Sequence, residues 1–170
     1  MKAGARFELL YSGKRDGWQL SDFHRVCDGK APTMVLFKSS KGSRFGGYTT
    51  VPWAGPLNWY GVSSNWKEDR ESFIFSVDER QLVFKPNDYS KAVYHWSTYG
   101  PNFGAEDLGF CTTPMNAPDA GRCYISSSFC YHNLPCDSEG NHVLTGDGKD
   151  NSKGYETFTC TDLEVYKVIQ

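Results

Sequence analysis

A chain of 170 residues and 19.2 kDa has the size of one ordinary domain, expected here to span residues 1–170. Its 18 basic and 20 acidic side chains leave a formal charge of −2 and a pI near 6.1, so nothing global drives it onto nucleic acid or anionic lipid, and no apolar run nears the roughly 20 residues that insert across a bilayer. Aromatic residues at 15 % of the chain, with 17 glycines and 8 prolines, speak against a disordered chain and a helical bundle and for a soluble, polar, mainly β domain.

The N-terminal residues Met1 to Arg6 contain no apolar core of a signal peptide. One helix is legible at Leu20–Cys27, with Ser21 or Asp22 as the N-cap; Leu20, Phe23, His24 and Cys27 share a face, and Asp28-Gly29 supplies the stop. Thr33 to Phe37 is a short apolar run of the kind buried on both faces of a sheet. A turn at Ser40-Lys41-Gly42 leads into its hairpin partner, Arg44 to Thr49. Ser72 to Val77 and Gln81 to Lys85 form a second hairpin across Asp78-Glu79-Arg80. Further strands are expected at Ala92–Trp96, Leu108–Thr112, Tyr124–Ser127 and Leu163–Ile169, spaced as in an antiparallel sandwich. The polar stretch from Asp137 to Gly154 reads as a surface loop or a weak strand pair.

Catalytic signatures are missing from the sequence. There is no Gly-x-Ser-x-Gly elbow, His-Glu-x-x-His helix or Walker A loop, and no catalytic residue, cofactor or metal site is assigned. Asp147-Gly148-Lys149-Asp150-Asn151 fails as a calcium loop because Lys149 takes the third position and Ser152 the sixth. His24, on the apolar face of a short helix, is expected to satisfy its nitrogens locally, and His95 to pack between Tyr94 and Trp96. The six cysteines are Cys27, Cys111, Cys123, Cys130, Cys136 and Cys160. They are too sparse for a disulfide scaffold, and no glycosylation sequon accompanies them; reduced, cytoplasmic thiols are favoured over disulfides. A zinc site at Cys123, Cys130 and Cys136 with His132 and His142 lacks any Cys-x-x-Cys pair, so small buried or idle thiols are the favoured reading. Redox chemistry remains the alternative, with Cys123 beside Arg122 and Cys130 near His132 as candidate thiols.

Two glycine placements demand a physical reason. Gly46-Gly47 inside a strand costs backbone entropy and packs nothing, which calls for a bulge or the close approach of another backbone. Tyr99-Gly100-Pro101-Asn102-Phe103-Gly104 reads as a tight turn feeding the strand at Leu108, with Phe103 an anchor and Asp107 a backbone acceptor.

Together these segments resemble the TLDc domain family of eukaryotic oxidation-resistance proteins. The resemblance rests on the ordered set Phe7 to Ser12, Arg15 to Trp18, Phe23 to Asp28, Pro32 to Leu36, Phe45-Gly46-Gly47-Tyr48-Thr49 with Trp53, Phe73 to Ser76, Tyr99 to Gly104, Asp107-Leu108 and Leu163 to Val168. It spans about residues 7–169. Gly104-Ala105-Glu106 stands where the family usually has a glycine run. The resemblance implies a sandwich of two antiparallel sheets flanked by short helices, and a non-catalytic interaction domain tied to oxidative-stress resistance and to the vacuolar-type proton pump (V-ATPase). It marks Gly46, Gly47, Tyr48, Trp53, Tyr99, Gly100, Phe103, Gly104, Asp107 and Glu164 as motif or binding candidates. Trp59, Tyr60 and Trp66 are candidate partner-facing aromatics. A cytoplasmic domain is implied, monomeric in isolation and recruited to vacuolar or endolysosomal membranes through a partner.

Overall fold

The computed structural model describes residues 4–54, 65–78, 82–96, 98–104, 107–110, 113–117, 121–124, 130–131, 144–145 and 155–169. Its strands are β1 (Arg6–Ser12), β2 (Thr33–Ser39), β3 (Arg44–Thr49), β4 (Trp66–Lys67), β5 (Phe73–Ser76), β6 (Val83–Phe84), β7 (Val93–Tyr94), β8 (Asn102–Phe103), β9 (Leu108–Phe110), β10 (Gly121–Tyr124), β11 (Tyr155–Phe158) and β12 (Cys160–Ile169). They form two antiparallel sheets, ordered β1-β12-β2-β3-β5-β6 and β11-β10-β9-β8-β7-β4. Helices α1 (Gly13–Asp16) and α2 (Leu20–Cys27) flank them. This is the two-sheet sandwich expected above. Among the described residues no helix is long and apolar enough to cross a membrane.

The helix falls where its periodicity predicts. Phe23 and Cys27 are buried, and Leu20 packs against the core. Its cap differs from expectation, because Gln19 is the N-cap and Asp22 sits at the third helical position, where its carboxylate accepts the Gln19 N–H at 3.1 Å. That is the returning half of a capping box, and it holds Asp22 inside the first turn. Helix α1 was not foreseen, since a four-residue turn has too little length to show a period.

Strand β2 alternates: Thr33, Val35, Phe37 and Ser39 are buried, Met34 and Leu36 half-buried, and Lys38 exposed. The expected burial on both faces is therefore confined to one of them. Its run of apolar residues reflects a central position between β12 and β3, with one face in the core. The predicted hairpins β2–β3 and β5–β6 are both present. The strand placed at Tyr124–Ser127 begins earlier, at Gly121, whose turn-like sequence pairs instead with Phe110 and Phe158; residues 125–127 lie outside the described set. Most of 137–154 also lies outside it. Leu144 and Thr145, however, are fully buried, and Thr145 offers its carbonyl to the Ser39 hydroxyl at 2.7 Å, so at this point the polar stretch is no surface loop.

The core lies between the sheets and is made largely of rings. On the first sheet, Tyr11, Val165, Val35, Gly47 and Ile74 are cross-strand neighbours in one buried row. Leu163, Phe37 and Phe45 form the next row. Phe110 and Phe158 of the second sheet meet it, with centroids 5.4 Å from Phe37 to Phe110 and 5.1 Å from Phe45 to Phe158. Such pairs add about 0.5–1.5 kcal/mol each beyond the area they bury.

Gly46-Gly47 gains its explanation here. The registers of β3 with β2 and β5 run without a bulge. A β-carbon at Gly46 would strike the carbonyl oxygen of Val35, which is the close backbone approach anticipated. One at Gly47 would strike the ring of Phe103, which lies over the bare backbone from the opposite sheet. Replacing Gly47 by Ala is expected to cost about 1–3 kcal/mol by overpacking. Chemical denaturation reads this as a lowered midpoint at constant slope, and an unchanged midpoint would mean that Phe103 moves aside freely.

Candidate functional site

Phe103, Gly47, Trp53 and Gly100 of the motif meet in and around the inter-sheet space. Phe103 packs on Gly47 and edge-on to Trp53 at 5.7 Å. Trp53 reaches Phe23 at 5.8 Å and His95 at 5.9 Å, and its indole N–H donates to the Thr33 hydroxyl at 2.9 Å. Gly100 donates its N–H to the Phe110 carbonyl at 3.1 Å. The Tyr99 carbonyl lies 3.0 Å from Nε2 of His24, whose Nδ1 lies 2.9 Å from the Asp28 carboxylate. Asp28, one turn on, is the local partner that the helix position suggested, whereas Tyr99 is 75 residues away.

A second knot forms around Asp107. Gly104, at φ +62°, takes a backbone conformation that favours glycine, and the Asp107 carboxylate fills the space where its side chain would stand. Oδ2 of the buried Asp107 accepts the N–H groups of Cys130 and Tyr131 at 2.7 and 2.8 Å, so it is a backbone acceptor as predicted. The Tyr131 hydroxyl donates to the Ser72 hydroxyl at 2.5 Å and lies 3.1 Å from the Ala92 carbonyl. Ser72 in turn donates to the Tyr48 carbonyl at 2.9 Å. A continuous chain of hydrogen bonds thus joins the Gly104–Asp107 turn to β3 of the other sheet. Removing the carboxylate in Asp107→Ala leaves two buried donors unsatisfied, at about 1–3 kcal/mol each. Hydrogen exchange is expected to show the Cys130 and Tyr131 amides losing protection first, and unchanged protection would mean that water replaces the carboxylate.

Asp69 was missed by sequence reading. Its carboxylate accepts from the Thr49 hydroxyl at 2.7 Å, the Thr50 N–H at 2.7 Å, the Thr50 hydroxyl at 2.8 Å and the Glu71 N–H at 3.0 Å. In the run Lys67-Glu68-Asp69-Arg70-Glu71 it looks like one more solvated charge. Only the fold shows that it is buried.

The remaining candidates separate by exposure. Glu164 is half-buried and accepts the Tyr166 hydroxyl at 2.6 Å, which pushes that phenol up to about 12. Trp66 of β4 is half-buried, with its ring 4.8 Å from Tyr94 of β7. Tyr94 stacks on Trp96 at 6.2 Å and 7°, and lies 5.7 Å from Tyr99. These four rings, all half-buried, form one cluster at the β4 edge of the second sheet. Trp59 and Tyr60 lie outside the described residues.

Of the redox candidates, Cys123 stands in β10, and its side chain lies outside the described set. Cys130 is buried, donates to the Asp88 carbonyl at 3.1 Å and is pushed up to about 12 by desolvation. Burial does the same to Cys160 and raises Cys27 further. Thiols in this state stay protonated and lack the thiolate that peroxide chemistry needs. Cys111, Cys136, His132 and His142 lie outside the described residues, and among the described ones no three His, Cys, Asp or Glu side chains gather in a way that could hold a metal.

His95 packs in the core as expected, but among the described residues neither ring nitrogen has a hydrogen-bond partner. Burial, helped by Lys67, pushes its imidazole from the ordinary 6.5 down to about 4. The unfolded chain therefore takes up this proton near pH 6.5 and the folded chain only near pH 4, so acid favours unfolding. Stability is expected to be fully present above pH 6.5 and to fall progressively toward pH 4 in denaturant titrations. In His95→Phe that slope should largely vanish. A wild-type stability flat across this window would contradict the burial of a neutral ring. Asp16 and Asp88, both held below the usual 3.8 (by hydrogen bonds from Arg15 and Ser90 respectively), act at lower pH.

A family model described as the TLDc domain matches residues 2–169. The MTOR-associated protein MEAK7 of Danio rerio is 29 % identical over 86 residues, a stretch that covers 51 % of this chain and 18 % of that relative. The matched stretch therefore spans less than a fifth of the relative's length.

Proposed function

The chain belongs to the TLDc domain family, and from that premise we propose that it is a non-catalytic protein-interaction domain, one that engages subunits of the V-ATPase and contributes to oxidative-stress resistance. Its place of action on this reading is the cytoplasm, at vacuolar or endolysosomal membranes to which the partner recruits it. The relative's name associates that protein with MTOR. What we carry over is only the shared theme of attachment to a larger assembly.

The observation that carries the reading is the ring cluster Trp66, Tyr94, Trp96 and Tyr99. Half-buried tryptophan and tyrosine packed on one another supply large contact area with little conformational freedom left to lose, the chemistry of interface hot spots. Phe103 of β8 pairs with Val93 of β7, the strand that carries Tyr94, so the motif anchor adjoins that cluster. The thiol alternative has less support: Cys27, Cys130 and Cys160 are all buried and protonated.

The test is retention of V-ATPase subunits from solubilised eukaryotic membranes on the immobilised chain. Trp66→Ala is expected to weaken capture by about 2 kcal/mol, on the order of 30-fold, with the far-UV spectrum unchanged. Failure to retain any pump subunit removes the V-ATPase assignment. Capture indifferent to Trp66→Ala moves the interface elsewhere. Peroxide consumption that thiol blocking abolishes would favour the redox alternative.

A further inference from the structure

Strand β1 is an edge strand whose two halves are treated differently. At its C-terminal end the free backbone groups are covered. The Leu10 carbonyl accepts from Nη2 of Arg15 at 2.7 Å, and the Ser12 N–H donates to the Asp16 carboxylate at 2.8 Å, both side chains coming from α1. Over Arg6–Leu9 no side chain or loop among the described residues plays that part. All four of these residues are exposed on both faces of the strand, with Phe7 at 49 % and Leu9 at 37 %. No proline and no bulge interrupts them, since the one irregularity in the register lies between Leu9 and Tyr11. Natural edges of this kind are ordinarily blocked.

We infer that this open half-edge pairs antiparallel with the same strand of a second copy, joining two first sheets across a two-fold axis at Phe7. The register follows from charge. A two-fold axis perpendicular to the sheet keeps each side chain on its own face, so only residues of the same parity can stand opposite one another. Centring the pair on Arg6 or on Glu8 sets two like charges face to face, and centring it on Leu9 leaves both charges opposite apolar or uncharged residues. Centring on Phe7 places each Arg6 opposite the Glu8 of the other copy, twice over, and each Ala5 opposite a Leu9. The same register brings the two Phe7 rings together at the axis. Leu9 and Tyr166 are cross-strand neighbours on that face, and Phe7 lies edge-on to Tyr166 at 6.5 Å, so the exposed rings merge into one apolar strip. The Arg15 side chain over the Leu10 carbonyl ends the pairing on each side. A dimer of this kind departs from the monomer expected from sequence.

Sedimentation equilibrium of the 170-residue chain over a range of concentrations tests this directly. The mass is expected to rise from 19.2 kDa toward that of the dimer as concentration increases. Arg6→Glu alone, or Glu8→Arg alone, turns both attractive pairs into repulsive ones and should weaken dimerisation by roughly tenfold or more. The double reversal Arg6→Glu with Glu8→Arg restores opposite charges in the same register and should restore the dimer. Both side chains are exposed, so the reversals leave the core untouched. A chain that stays monomeric throughout, a dimer indifferent to the single reversals, or a double reversal that fails to recover it would each overturn the proposal.

Discussion

The ring of Phe103 resting on the bare backbone of Gly47 is the contact through which the two sheets of this domain recognise each other. A sandwich whose filler is mostly aromatic cannot interdigitate as aliphatic sheets do, because flat rings need somewhere flat to lie. Gly47 provides that place at the centre of a buried row, between Val35 and Ile74. From there the packing spreads through Trp53 to Phe23 and His95, and so ties helix α2 to the sandwich. The neighbouring row of Phe37, Phe45, Phe110 and Phe158 fills the rest of the space between sheets.

Hydrogen bonding seals what the rings leave open. A carboxylate in an apolar interior is costly unless its oxygens are fully used, and both buried acids answer that requirement with backbone and hydroxyl donors. Asp107 fastens Cys130 and Tyr131, and Asp69 fastens Thr49, Thr50 and Glu71. Neither faces a basic side chain in these bonds. Their work is to shape backbone, and the Tyr131–Ser72–Tyr48 chain carries that shape across to the first sheet. His95 differs from them, a polar ring kept in the core with no hydrogen-bond partner among the described residues.

On the proposed reading this arrangement divides the domain into an interior that builds and a surface that binds. The glycines, Phe103 and Asp107 of the family motif lie inside, where they hold β8, β9 and the Tyr131 segment in place. The half-buried rings around Tyr94 and the open edge at Phe7 belong to different sheets. On the same proposed reading an attachment through one leaves the other free, and the domain joins two partners.

Much of the architecture was legible from residues alone. The helix at Leu20–Cys27, the hairpins β2–β3 and β5–β6 and the last strand follow from local periodicity and turn chemistry, which act over a few residues. The need for something pressed against Gly46-Gly47 was equally plain, because glycine inside a strand is unfavourable unless space forbids a side chain. What pressed was not: a ring more than fifty residues along the chain leaves no local trace. For the same reason Asp69 draws no notice in the sequence, Tyr124 reads as the start of its strand, and Leu144-Thr145 as part of a loop or weak strand pair. Composition, period and turns belong to the chain. Burial, partner identity and which edge stays open arise only when distant segments meet, and the tertiary structure alone decided them.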